Sequence, residues 1–114
     1  MRSRSADPER GSATAELAVA LPAVALVLAL CLAGVQLGAR QVGLEDAAAD
    51  AARALGRGDG AGEASAIAGR NAPGATLAVT SEPPFVCAML TAPSGGLLAG
   101  IRLRAESCAL DGGR

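Results

Sequence analysis

Polar and apolar residues fall along this chain in blocks of different period. Residues Met1 to Arg10 are polar, carry Arg2, Arg4 and Arg10 against Asp7 and Glu9, and include Pro8. So short and charged a segment reads as disordered. From Leu17 to Ala39 run 23 residues without a charge. Wound as a helix they span roughly 34 Å, enough for a hydrocarbon core of roughly 30 Å. A helix this apolar can also be the core of a soluble protein, but a chain of 114 residues is too small to wrap one on all sides. The pattern predicts a transmembrane helix.

Beyond Arg40 the pattern stays helical and becomes one-sided. Leu44, Ala48, Ala51 and Leu55 recur at four, three and four residues, a narrow apolar stripe. Glu45, Asp46, Asp50, Arg53 and Arg57 mostly occupy the other faces, acids first and arginines last, as the helix dipole favours. Small stripe residues would let another helix approach closely, and packing on the chain's own small domain is the plainer reading. Gly56-Arg57-Gly58-Asp59-Gly60 stops the helix. A shorter helix is expected at Glu63 to Arg70, ended by Asn71, Pro73 and Gly74.

The period then changes to two. Thr76 to Thr80 alternates weakly, Phe85 to Leu90 is a short apolar run, and Ile101 to Cys108 alternates clearly. In the last, Ile101, Leu103 and Ala105 share one face, while Arg102, Arg104 and Glu106 share the other. Pro83-Pro84 and Pro93-Ser94-Gly95-Gly96 separate three strands. The expected fold is α+β: a long N-terminal transmembrane helix continuing into a stalk, then a short helix and a small three-stranded antiparallel sheet.

Composition narrows the chemistry. Apolar residues make up 51 %, yet Phe85 is the only aromatic, and there is no Trp, Tyr, His or Lys. The formal net charge is -1, without the basic field that nucleic-acid binding needs. With no imidazole there is no ready general base or nitrogen ligand, and Cys31, Cys87 and Cys108 do not form a zinc-ligand spacing. No catalysis, cofactor, metal or small-molecule substrate is expected. Arg57-Gly58-Asp59 reproduces an adhesion tripeptide, which chance explains in a chain so rich in Arg and Gly.

The strongest signal lies where the polar segment meets the apolar run, at Arg10-Gly11-Ser12-Ala13-Thr14-Ala15-Glu16. A Gly after a basic residue, a small polar stretch and a lone acid before a hydrophobic helix form a type IV prepilin-like cleavage site. Cutting after Gly11 would create an α-amino group on Ser12. Glu16, four residues on, lies one helical turn away and can meet that amine or a neighbour's. Such pairing gives a reason for an acid at this depth, which translocon scales penalise by about 2.5–3.5 kcal/mol at a helix centre and less near the edge. Marking the helix start at the membrane surface is the simpler role for Glu16. Pro22 interrupts the ladder within the span and predicts a kink.

The stretch from Arg10 through Glu16 to Leu17-Ala18-Val19-Ala20-Leu21-Pro22 resembles the N-terminus of the TadE-like family of the tight-adherence (Flp) pilus system. The Gly, the Glu and the Ala-Leu-Pro ending carry the likeness, and Ala47-Ala48-Ala49-Asp50-Ala51-Ala52-Arg53-Ala54 resembles that family's Ala/Arg-rich segment. Together they cover about the first half of the chain. Leu17 stands where family members often carry Phe or Tyr. The resemblance implies a minor pilin or pseudopilin acting in pilus assembly at the cell surface. It also implies cleavage by a membrane-embedded prepilin peptidase and packing against other pilin subunits through the N-terminal helix.

On this reading the chain divides into a leader (1–11), a transmembrane helix (12–39), a helical stalk (40–57) and a small exported α+β domain (58–114). Counting arginines on the two flanks puts the N-terminus in the cytoplasm and the remainder across the inner membrane. Pairing Cys87 with Cys108 sets Met89 opposite Glu106 and Phe85 opposite Leu110, a workable antiparallel register. A disulfide there would hold a domain poor in large side chains. Cys31 lies in the span and reads as a small apolar residue. Two rival architectures remain: a lipoprotein cut near Cys31, where Leu30 is large for the position before such a cysteine, and an uncleaved single-pass anchor with an exported binding domain.

Overall fold

A computed structural model describes residues 8–112 of the chain. It is an α+β fold: α1 (Pro8–Gly56), α2 (Ala61–Asn71), then β1 (Thr76–Glu82), β2 (Phe85–Pro93) and β3 (Arg102–Leu110) in one antiparallel sheet of order β1-β2-β3. The chain divides into two units at Gly34/Val35.

The N-terminal unit is helical. Met1 to Asp7, with Arg2 and Arg4, lie outside the described residues, and so does that part of the expected disorder. Residues 8–10 are already helical, which corrects the reading that Met1 to Arg10 lacks structure. Proline suits a first helical turn, where φ is preset and the missing N–H would have had no partner. From Gly11 to Leu32 every side chain is exposed. The helix continues through Pro22 and is long and apolar enough to cross a membrane.

In the C-terminal unit the second half of α1 is the core helix. The expected stripe of Leu44, Ala48, Ala51 and Leu55 is buried, and Ala47, Ala52 and Ala54 are buried beside it. The apolar arc is therefore wide, and residues 40–57 are an integral part of the domain. The sheet offers Val86, Ala88, Leu90 and Ala92 from β2 with Leu103 and Ala105 from β3, while α2 adds Ala64 and Ala68. Leu44 and Leu90 are the largest fully buried side chains. Facing alanines allow the backbones to come close, so a tight core forms without aromatic residues. Phe85, the sole aromatic, stays 46 % exposed.

Polar contacts fix the arrangement. Gln41 Nε2 donates to the backbone carbonyl of Arg104 at 2.9 Å, occupying an acceptor on β3. Asp50 accepts from Arg53 at 2.7 Å and from Asn71 at 3.1 Å, tying α1 to the end of α2. After Gly56 the amides of Gly58 and Asp59 return to the carbonyls of Leu55 and Ala54, with Gly58 at φ +94°. That is the glycine-dependent helix stop expected from the sequence. The β1–β2 hairpin closes over Pro83-Pro84, so β1 runs on to Glu82, and β2 runs past Leu90 to Pro93 at its other end.

Candidate functional site

Gly11, Ser12 and Glu16 all lie in the first turns of α1 and are exposed. Their shared helix sets Ser12 and Glu16 one turn apart on one face. Among the described residues Glu16 makes no ion pair. A Cβ at Gly11 would meet nothing within 4 Å. Glycine costs a helix interior about 1 kcal/mol relative to alanine, so the fold does not explain why position 11 is glycine. The 11–12 peptide bond is helical, and a peptidase could reach it only after the first turn unwinds. That turn has the fewest backbone bonds to lose.

Pro22 lies further along the exposed stretch and leaves the carbonyl of Ala18 without its helical donor. Leu17, Val19, Leu21, Val24, Leu26, Val27, Leu28, Leu30, Leu32 and Val35 are 54–75 % exposed. At roughly 1.5–3 kcal/mol for full burial of each, keeping this set in water costs on the order of 10 kcal/mol. Such a cost equals the whole stability of a small domain. Cys31 is a free, exposed thiol on the same stretch.

No protein-family model, curated protein or solved structure matches the chain. Its function is read from the residues themselves.

Cys87 and Cys108 are joined, with Cα atoms 4.0 Å apart and a sequence separation of 21. They face each other in the β2–β3 register, which also sets Met89 opposite Glu106 and Phe85 opposite Leu110, as the sequence pattern indicated. A close approach of this kind belongs to the narrow, non-hydrogen-bonded pairs of an antiparallel ladder. Glu106 lies near both sulfurs. In the disulfide those sulfurs are not thiolates, so the group offers a metal one carboxylate.

One feature of the C-terminal unit was not legible in the sequence. A cleft of about 430 Å³ lies beside Arg40, lined by Leu44, Asn71, Pro73, Ala92 and Leu103 among others. The loop after β2 packs on the Arg40 side chain. Gly95 has φ +73°, and a Cβ there would stand 2.5 Å from Arg40 Nη1. The Gly95-Gly96 pair was readable only as a turn; its contact with Arg40 depends on tertiary packing.

Proposed function

We propose that this chain is a prepilin-like membrane protein of the TadE-like kind, a minor pilin or pseudopilin that is cut after Gly11 and acts in pilus assembly at the cell surface. The observation that carries the reading is the junction itself. Gly11, Ser12 and Glu16 lie in the first turns of a helix whose next stretch, Leu17 to Leu32, is charge-free and exposed. Burial in a bilayer removes the cost of that exposure. Space around Gly11 supports a role outside the fold, since packing does not select glycine there. Peptide-bond hydrolysis needs a close approach of peptidase groups to the backbone, which a missing side chain permits.

Once residues 1–11 are removed, Ser12 carries a free amine within a turn of the Glu16 carboxylate. In low dielectric an amine and a carboxylate attract strongly, within one helix or between neighbours. Such a pair lowers the cost of carrying Glu16 into the membrane and gives subunits a common register. The Cys87–Cys108 disulfide supports placing the C-terminal unit outside the cytoplasm, where such bonds persist.

Processing is tested by replacing Gly11 with a bulky residue and comparing gel mobility in cells that carry a prepilin peptidase. The wild type should run as the shorter form and Gly11→Val at full length. Equal mobility of both at full length would overturn the reading.

A further inference from the structure

We propose that the end of the C-terminal unit around Arg40 rests on the bilayer surface, with the uncharged loop 94–101 in the interfacial layer and nearby arginines on anionic lipid headgroups. This rests on the membrane reading of α1 and adds a second contact, made by the folded domain itself.

Arg40 is the first charge after the 23-residue uncharged run, and Val35 to Ala39 of that run belong to the same compact unit. Helix side chains lean toward the N-terminus, so the Arg40 guanidinium reaches back toward the end of the apolar run. Gly95 packs against that guanidinium. The loop therefore lies beside Arg40, the first charge after the uncharged run.

Its composition fits an interfacial layer. No charge occurs from Pro83 to Ile101, and residues 96–101 read Gly-Leu-Leu-Ala-Gly-Ile. Ile101 is 43 % exposed and Leu98 partly so. The loop meets many of its own polar needs. The Ser94 hydroxyl donates to the Leu98 carbonyl, and the Ser94 amide donates to the Ile101 carbonyl at 3.0 Å. The amides of Ala99 and Ile101 bond Gly96 and Leu98. Satisfied backbone groups lower the cost of entering a region poor in water.

Unpaired arginines gather at this end. Arg102 pairs with Pro93 in the ladder, and Arg70 precedes Asn71; Pro93 and Asn71 both line the cleft with Arg40. Among the described residues Arg40, Arg70 and Arg102 make no ion pair. Asp59 past α1, Glu63 at the start of α2, Glu82 at the end of β1 and Asp111 past β3 lie at the opposite ends of the elements, while Glu45, Asp46 and Asp50 on α1 and Glu106 on β3 lie between, Asp50 paired with Arg53. An anionic surface attracts the first set and repels the second.

The chain has no tryptophan, so one introduced residue reports alone. Full-length Ile101→Trp, with Leu98→Trp as a second reporter, is placed in phosphatidylcholine vesicles with and without phosphatidylglycerol, using lipids brominated high on the acyl chain. Leu26→Trp reports on the span and Phe85→Trp on the far end of the sheet. Quenching of both loop reporters should exceed that of Phe85→Trp at least twofold. The excess should grow with phosphatidylglycerol and shrink in high salt or with Arg40→Gln. Loop reporters no more quenched than Phe85→Trp, alongside a quenched Leu26→Trp, would overturn the proposal and spare the membrane reading. An unquenched Leu26→Trp would overturn both. Excess quenching indifferent to phosphatidylglycerol and salt would overturn the headgroup contact.

Discussion

Gly56 and Gly11 show how one residue type does two unrelated jobs. A Cβ at Gly56 would stand 2.9 Å from the Leu110 carbonyl oxygen and 3.2 Å from the Ala109 Cβ, where the end of α1 meets β3. Backbone cannot yield as a side chain does, so Gly56→Ala should cost about 1–3 kcal/mol of stability. Gly11→Val meets open space and should leave the thermal midpoint of the C-terminal unit unchanged. Melting both variants by circular dichroism separates packing from processing; an equal loss in both would remove the case for Gly11 as a processing residue. Glu16→Gln keeps shape and removes charge. It should insert normally in the membrane and yield fewer filaments as the sole copy, whereas normal filaments would reduce Glu16 to a helix-start residue.

The core half of α1 and the β2–β3 ladder carry the stability of the C-terminal unit. Truncating Leu44 or Leu90, the largest fully buried side chains, should cost about 2–5 kcal/mol each, read as a lower denaturation midpoint. The Cys87–Cys108 bridge closes a loop of 21 residues, for which chain entropy gives about 3 kcal/mol. Thiol labelling under denaturing, non-reducing conditions should modify Cys31 alone, and Cys87→Ser should expose Cys108 and speed proteolysis. Labelling of all three cysteines without reductant would remove the bridge from the account of stability.

These elements also show what could be read in advance. Register followed from pairing two cysteines, because a period of two leaves few alternatives once one pair is set. Strand ends did not: β2 runs on through Ala92 and Pro93, where a proline marked a break, because it pairs with the edge-strand residue Arg102. Ala47, Ala52 and Ala54 were missed because alanine marks a helical face only weakly. They are buried because α1 lies in a shared core with α2 and the sheet. Glu16 and Gly11 were legible as a spacing, while the cleft at Arg40 arises only when residues distant in sequence meet.

Taken as one polypeptide, the chain joins an uncovered apolar helix to a small disulfide-closed domain through a single α-helix. The apolar helix is long enough to cross a bilayer; on the proposed reading it sits in one, with the disulfide-closed domain on the exported side. Intact-mass spectrometry of the protein purified from membranes of peptidase-bearing cells distinguishes the possible fates of its N-terminus. Cleavage after Gly11 predicts one species that lacks residues 1–11, begins at Ser12 and is two hydrogens lighter for the bridge. A lipid-modified species beginning at Cys31 would make it a lipoprotein. A full-length species, in cells that process another prepilin normally, would make it an uncleaved membrane anchor and end the prepilin reading.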